Sequence, residues 1–339
     1  MSNPPASLSV SVIIVTWNSA AYLPRCLECL QAQTYRDFEV IVIDNASTDG
    51  TLSILDSLPH TFSLRVQAQG KNEGFATANN VGAHLAQGTW LALLNPDAYP
   101  EADWLETLVL ATQKFPDFTF FASRQIQADE PELLDGAGDV FHISGLAWRR
   151  FTGERAERLG LETEEVFSPC AAAALYLRQA FLQVGGFDED FFSYHEDVDL
   201  GFRLRLEGFR SIYIPEAVVR HVGSASTGKK SAFAIYHGHR NLIWNYVKNM
   251  PTLLFWLCLP YHLLMNLFFL LYFSSKGQAR AIWRAKLDGA RGLRAMLRKR
   301  KEIQDRRRVP VMSLYRLMNR NWLAPYKVRM KSRYPLKDG

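Results

Sequence analysis

The sequence predicts an α/β fold with a mostly parallel central sheet, flanking helices and a further helical region at its C-terminal end. Short apolar runs, several of them rich in valine and isoleucine, recur between segments of helical periodicity, and polar residues follow several of these runs directly. Strands of a parallel sheet covered on both faces are apolar throughout rather than alternating. An uncharged stretch followed by a basic tail predicts that the C-terminal end forms the further helical region.

The first hundred residues alternate predicted strands with predicted helices. The strands are apolar and of strand length, and the helices repeat apolar residues every three or four positions. Strands are predicted at Ser9–Thr16, Phe38–Ile43, Leu64–Ala68 and Trp90–Leu94, and helices at Ala20–Gln33, Thr51–Leu58 and Ala76–Ala86.

After Asp97 the pattern is less regular, and the Gly-rich, charged segment Asp129–Thr163 predicts loops with short strands. We expect one α/β domain at residues 1–250 and a helical region at residues 251–339. Strands are predicted at Phe118–Ser123, Ala171–Leu177 and Ile212–Ile214, the last ending at Pro215, and helices at Trp104–Thr112, Gln179–Val184, Asp197–Glu207 and Tyr236–Asn249.

The charge of the chain is unevenly distributed. Its net charge is +5, but residues 276–339 hold 20 Lys and Arg against 4 Asp and Glu, so residues 1–275 carry a net charge of −11. A basic tail on an acidic body predicts an anionic partner, which is a lipid surface, a nucleic acid or an acidic substrate. The uncharged stretch beside the tail favours lipid over nucleic acid.

Thr252–Phe273 is a 22-residue segment without a formal charge. At about 1.5 Å per residue, a helix of this length could cross a bilayer core of about 30 Å; a buried helical hairpin is the alternative. One crossing would leave the basic tail outside, against the positive-inside tendency. We therefore expect an in-plane or re-entrant attachment to the cytoplasmic face of the cell membrane. Pro260 would lie near a bend, and Lys276–Arg308 would form an amphipathic helix on anionic lipid.

The four cysteines do not indicate a disulfide framework. Cys26 and Cys29 form a C-x-x-C pair, but the sequence has no second pair for zinc, and the same spacing fits one face of a helix. Residues 1–9 lack the charged and apolar regions of a signal peptide. We expect a protein of a reducing compartment.

The sequence pattern centres on Asn95-Pro96-Asp97, which follows the predicted strand Trp90–Leu94 directly. Proline ends the strand, so a carboxylate lies just beyond its C-terminal end. In open α/β sheets this edge binds ligands, although a lone Asp here is commonly a turn or cap residue. Polar groups end further apolar segments in Val40–Asp49, Asn72–Asn80 and His195–Arg205, and together these stretches predict one site.

Five motifs, in this order, resemble those of family 2 glycosyltransferases with the GT-A fold. Within that family the chain is most similar to bacterial rhamnosyltransferases that extend lipid-linked surface polysaccharides such as lipopolysaccharide. The motifs are Val12–Asn18, Val42–Gly50, Asn72–Ala76, Leu94–Asp97 and His195–Leu200.

The resemblance implies a binding site for a nucleotide-sugar donor. Thr16 and Asn18 would line the base pocket, and Asp44 would accept a hydrogen bond from the pyrimidine ring. Asp44 also fits an Asx turn, which is the structural alternative. The other residues implied for donor binding are Asn45, Asn72, Asn95 and Asp97.

The resemblance also implies a divalent metal, Mg²⁺ or Mn²⁺. The family's Asp-x-Asp motif reads Asn95-Pro96-Asp97 here, which leaves Asp97 as its one carboxylate ligand, and His221 would be a second ligand. One carboxylate is sufficient where phosphate oxygens and water complete the coordination shell. The alternative for His221 is a hydrogen-bonded structural histidine.

Asp197 corresponds to the family's catalytic base, and Glu196 would bind the acceptor sugar. The alternative for Asp197 is a helix cap. Arg240 would bind the diphosphate of a lipid-linked acceptor, with a structural salt bridge as the alternative. Asp199 and Arg203 are expected to form an ion pair on the helix surface.

We therefore expect an inverting, metal-dependent glycosyltransferase that moves L-rhamnose from dTDP-L-rhamnose to a polyprenyl-diphosphate-linked saccharide. Trp148, Arg149 and Arg150 are candidates for the rim of the acceptor site. A Rossmann-type dehydrogenase is excluded because no G-x-G-x-x-G follows the first predicted strand. A catalytically inactive, membrane-bound scaffold of a polysaccharide assembly complex is the alternative, and Asn95 is the residue that favours it.

Overall fold

The computed structural model describes residues 9–57, 60–223 and 231–326. Three parts of the sequence predictions lie outside these residues. They are residues 1–8, where no signal peptide is predicted, Leu58 at the end of the helix predicted at Thr51–Leu58, and residues 327–339 of the basic tail. The strands are β1 (Val10–Thr16), β2 (Phe38–Asp44), β3 (Ser63–Ala68), β4 (Trp90–Leu94), β5 (Ala98–Pro100), β6 (Phe120–Gln127), β7 (Leu134–Ala137), β8 (Asp139–Phe141), β9 (Ala147–Arg149), β10 (Glu164–Glu165), β11 (Ala173–Leu177) and β12 (Ser211–His221). The helices are α1 (Leu23–Gln31), α2 (Thr51–Ser57), α3 (Gly74–Leu85), α4 (Trp104–Lys114), α5 (Arg178–Gln183), α6 (Glu196–Leu206), α7 (Ala232–Asn249), α8 (Thr252–Ser275), α9 (Ala279–Arg291), α10 (Leu293–Asp305) and α11 (Val311–Leu317).

Ten of the described strands form one mixed sheet, in the order β10-β12-β6-β11-β4-β1-β2-β3, with β5 on β12 and β7 on β6. The half formed by β3, β2, β1 and β4 is parallel, whereas β11 runs antiparallel to both β4 and β6. Every residue of β1 and β2 is buried, because helices cover both faces of this half. The predicted α/β fold is confirmed.

The parallel register places the polar ends of three strands at one edge of the sheet. Thr16, the last residue of β1, pairs with Asp44, the last residue of β2. The strand β4 lies on the other side of β1 and ends at Leu94, immediately before Asn95. The polar stretches are therefore neighbours at the carboxyl edge, where open α/β sheets bind ligands.

The strand β12 is longer than predicted. The sequence predicted an end at Pro215, but the strand continues to His221 through a register shift between Ile214 and Val218. Such an irregularity accommodates proline, which cannot donate a ladder hydrogen bond. The continuation pairs His221 with Ala98 on β5, so the histidine lies next to Asp97.

The uncharged segment forms α8, a single helix that continues through Pro260 rather than the alternative hairpin. It is the one helix in the described ranges that is long and apolar enough to cross a membrane. One face is buried along the whole length of α8, because it joins the apolar cluster that also contains Phe202 of α6 and Trp244 of α7. The buried residues of this face are Leu254, Cys258, Tyr261, His262, Met265, Phe269 and Phe273.

Asp199 and Arg203 form the predicted ion pair, but its predicted position on the helix surface is wrong. Asp199 is fully buried, and its carboxylate lies 2.8 Å from Arg203, 2.6 Å from Lys248 and 2.7 Å from the amide of Asn249. Lys248 and Asn249 belong to α7, and Lys248 also pairs with Asp188 at 2.5 Å. Asp199 therefore joins α6 to α7 through a buried network of charges.

We predict that Asp199→Asn destabilises the protein by about 3–5 kcal/mol, because removing one partner leaves buried cations without their counter-charge. Asp288→Asn is the matched control, since Asp288 pairs with the exposed Arg284 and Arg291 and should cost only about 0–1 kcal/mol. Denaturant unfolding of the two variants measures both losses. Equal losses in the two variants would show that the buried network does not hold α6 on α7.

Candidate functional site

A cavity of about 730 Å³ opens at the carboxyl edge of the sheet. Its walls come from the ends of β1, β2 and β4, the start of α3, the hairpin β8–β9, and the start of α6. Among the predicted site residues, Asn45, Asn72, Asn95, Asp97, Glu196, Asp197 and His221 line it. Thr16, Asn18, Asp44 and Arg240 are not among the lining residues.

Asp44 is fully buried beneath the loop that follows β2. Its carboxylate accepts hydrogen bonds from the Thr16 hydroxyl at 2.8 Å and from the Ser47 amide at 2.9 Å. Asn18 joins the same loop, because its side-chain oxygen accepts from the Thr48 amide at 2.8 Å. These contacts are the ones expected if Asp44 is a turn residue. Its contact with a nucleobase stays a prediction.

Asn45 and Asn72 fix the start of α3 at the cavity wall. The Asn45 amide donates to the Gly74 carbonyl at 3.1 Å, and the Asn72 side-chain oxygen accepts from the Gly74 amide at 2.9 Å. Gly74 has a φ of +86°, and a Cβ there would lie 2.6 Å from Phe192. Glycine is therefore required where α3 meets the loop before α6.

Asp97 and His221 meet in the wall of the cavity next to Asn95. His221 Nε2 lies 3.3 Å from Asp97 Oδ1 and 3.5 Å from the Asn95 amide nitrogen, and both Asp97 and His221 are buried. Burial opposes a charge on His221, but the hydrogen bonds with Asp135 and Asp97 outweigh it and raise the pKa of His221.

Asp97, His221 and Asn95 are the candidate ligands for a divalent metal. No group of three or more His, Cys, Asp or Glu side chains among the described residues is arranged to hold a metal ion. Asp97, His221 and Asn95 supply one carboxylate, one imidazole and one amide. That set fits Mg²⁺ or Mn²⁺ where phosphate oxygens complete the shell, since these ions need only one or two protein carboxylates.

Asp197 is the second residue of α6 and is not its cap, which is His195. Its two carboxylate oxygens accept hydrogen bonds from the Ala171 amide at 3.2 Å and the Val198 amide at 2.8 Å. Burial raises the pKa of Asp197, although these amides and the charge of Arg149 oppose the rise. A raised pKa makes the carboxylate a stronger base.

Glu196 lines the same cavity and is only 7% exposed. Its Oε2 atom has no hydrogen-bond partner among the described residues. Burial, and then the charge of Asp197, raise the pKa of Glu196 well above its ordinary value. A buried carboxyl oxygen without a partner is costly, which is consistent with a role in holding a polar ligand.

Arg240 does not line the cavity. Its guanidinium donates to the carbonyls of Asp190 and Phe191 at 3.0 and 2.9 Å and lies over the Trp244 ring. These contacts favour a structural role for Arg240 over binding of the acceptor. The partners are backbone carbonyls and not the carboxylate of the predicted salt bridge.

Asp135 and Asp139 were not among the predicted site residues. They lie on β7 and β8, in the segment predicted to form loops with short strands. Asp139 lines the cavity together with Trp148 and Arg149 of β9, whereas Arg150 pairs with Glu164 outside it. No local sequence signal marks these aspartates, because their importance depends on which distant residues they meet.

Comparison with known proteins identifies the family. A model described as Glycosyl transferase family 2 matches residues 11–185, and one described as Glycosyl transferase family group 2 matches residues 154–283. An N-acetylglucosaminyl-diphospho-decaprenol L-rhamnosyltransferase of Mycobacterium tuberculosis is 32% identical over 258 residues, which are 68% of this chain and 81% of that protein.

Two solved structures show the shared fold. The mannosyltransferase PcManGT from Pyrobaculum calidifontis, in complex with GDP-Man and Mn²⁺, is similar with a TM-score of 0.52 and 17% identity, over 96% of this chain and 88% of that one. S. aureus TarS is similar with a TM-score of 0.55 and 18% identity, over 75% of this chain and 43% of that one. With the GT-A fold and both family matches, the chain belongs to glycosyl transferase family 2.

Proposed function

We propose that this glycosyltransferase is an inverting, metal-dependent enzyme that transfers L-rhamnose from dTDP-L-rhamnose to a lipid-linked saccharide. The observation that carries the proposal is the presence of Asp97, His221 and Asp197 on the walls of one cavity. The same observation weighs against the inactive scaffold, which Asn95 alone favoured.

In the proposed reaction, Asp197 accepts the proton of an acceptor hydroxyl while that oxygen attacks the anomeric carbon of the donor. The bond to the nucleoside diphosphate breaks in the same step, so the anomeric centre inverts without a covalent intermediate. Asp97 and His221 would hold a divalent cation, which when bound neutralises charge on the departing diphosphate. Glu196, next to Asp197, would bind the acceptor sugar.

The choice of sugar and acceptor is supported by the mycobacterial relative, whose name specifies an L-rhamnosyl group and N-acetylglucosaminyl-diphospho-decaprenol. We extend this to dTDP-L-rhamnose and a polyprenyl-diphosphate-linked saccharide of a cell-surface polysaccharide. A panel of nucleotide sugars offered with a lipid-linked GlcNAc acceptor and read by mass spectrometry tests it. Addition of one deoxyhexose from dTDP-L-rhamnose is expected, and addition of another sugar with no deoxyhexose product would contradict the donor assignment.

We also propose that α8 lies in the plane of the cytoplasmic membrane face. The face of α8 opposite its buried face exposes apolar residues that are each 51–67% exposed, including Trp256, Leu257 and Leu267. A helix that packs on the protein along its whole length is held at the surface rather than across the bilayer. The basic helix α9 packs beside α8, and α10 reaches α8 through Arg300, which donates a hydrogen bond to Thr252. Both basic helices suit anionic lipid.

The first prediction from this proposal concerns the base. Asp197→Asn should lower kcat by about 10²–10⁴-fold, because an amide of the same shape cannot accept the proton. Donor affinity, measured by calorimetry with dTDP-L-rhamnose, should stay within about tenfold, since the base contacts the acceptor. Asp103→Asn is the control, because Asp103 is exposed and makes no capping hydrogen bond. Normal turnover by Asp197→Asn would remove Asp197 from the role of base.

The second concerns the metal. We predict that EDTA abolishes transfer and that Mn²⁺ or Mg²⁺ restores it, because Asp97 is the one carboxylate of its motif. Asp97→Ala should be inactive at every metal concentration tested. Full activity of Asp97→Ala in the presence of chelator would contradict metal dependence.

The third concerns the membrane. Leu257→Glu should weaken sedimentation with vesicles containing anionic lipid by at least about tenfold, since burying a leucine side chain is worth about 1.5–3 kcal/mol. Leu110→Glu is the control, because Leu110 is 56% exposed on α4, which is remote from α8 in the chain. Molar salt should weaken binding by screening the basic helices without releasing the protein. Equal binding of both variants would exclude α8 as the attachment surface.

A further inference from the structure

Asp135 and Arg149 have no role in the reaction proposed for this cavity. Asp135 on β7 is 4% exposed, and its Oδ2 atom accepts hydrogen bonds from two directions. One donor is His221 Nδ1 at 2.8 Å, and the other is the Arg149 guanidinium. The three side chains therefore form a continuous chain from His221 to Arg149.

A carboxylate that accepts a hydrogen bond from Nδ1 requires the proton of a neutral imidazole to lie on that nitrogen. The lone pair is then on Nε2, which is the atom that faces Asp97 at 3.3 Å and the Asn95 amide at 3.5 Å. Partners of this kind orient metal-binding histidines and raise their basicity. Asp135 is placed to do both for His221.

Arg149 in turn fixes Asp135. It reaches Asp135 from the hairpin β8–β9 and packs against Gly136, where an added Cβ would lie 3.1 Å from the Arg149 Cβ. Arg149 also lines the cavity with Asp139 and Asp197, so the side chain that pairs with Asp135 borders the same cavity as the proposed base. Lysine could supply the charge but not the planar fork of donors.

We propose that Asp135 and Arg149 are positioning residues, which act through His221 to prepare the side chains that hold the divalent cation. The inference depends on the proposed function, because it assumes that Asp97 and His221 bind that cation. It assigns a task to two residues that lie in the part of the sequence with the weakest pattern.

Mn²⁺ affinity, measured by calorimetry on the full-length protein without donor or acceptor, tests the inference. Asp135→Ala should weaken Mn²⁺ binding by about 10–100-fold, the usual effect of removing a residue that supports a metal ligand. Asp135→Asn should lose less, because its amide oxygen can still accept from Nδ1. Arg149→Met should weaken binding, and Arg149→Lys should recover part of the loss.

The hairpin provides a matched control. Arg150, the next residue, pairs with Glu164, so Arg150→Met and Glu164→Gln remove a similar ion pair outside the cavity. Both should bind Mn²⁺ like the unmodified protein. Thermal unfolding shows whether any variant loses its fold, and Asp135→Asn, of unchanged shape, provides a test if Asp135→Ala does not fold.

The outcomes separate the two proposals. If the unmodified protein binds no Mn²⁺, metal dependence fails and this inference fails with it. If the unmodified protein binds Mn²⁺ and folded Asp135→Ala or Asp135→Asn binds it equally well, the inference alone is overturned. If Arg149→Met leaves Mn²⁺ affinity intact but raises the KM for the acceptor, Arg149 contacts the acceptor directly and is not a positioning residue.

Discussion

The burial of like charges is the constraint on which the site depends. Asp97, Asp139, Glu196 and Asp197 line one cavity, and Arg149 is the only Lys or Arg among its described lining residues. Burial raises the pKa of Asp139 and of Glu196 well above the ordinary values, and the charge of Asp197 raises both further. Such a cluster is unfavourable without cations. A divalent metal beside Asp97 would relieve that repulsion, which connects the electrostatics of the cavity with the proposed chemistry.

The scaffold brings these charges together from distant parts of the chain. The irregular strand β12 delivers His221 to Asp97, and the buried network around Asp199 holds α6, which carries Glu196 and Asp197, against α7. The apolar cluster beneath α6 also contains the inner face of α8. The surface proposed to meet the membrane therefore rests on the same core as the helix that carries the proposed base.

The fold was predictable from the sequence where physical signals are local. Buried parallel strands are apolar throughout, and the polar residues after β2 and β4 had to meet at one edge once the strands were parallel. The burial of Asp199 was not predictable, because a spacing of four residues to Arg203 is the same on an exposed or a buried helix face, and Lys248 lies far along the chain. The contacts of Asp135 with His221 and Arg149 were not predictable for the same reason. Pro215 suggested the end of a strand that the register shift instead prolongs.

The most direct measurement of the central claim is anomalous diffraction from crystals grown with Mn²⁺ and dTDP. We expect a manganese peak beside Asp97 and His221, with the diphosphate of dTDP bound next to it in the cavity that Asp197 also lines. A manganese position away from Asp97 and His221, or a bound diphosphate with no metal between it and these residues, would contradict the account.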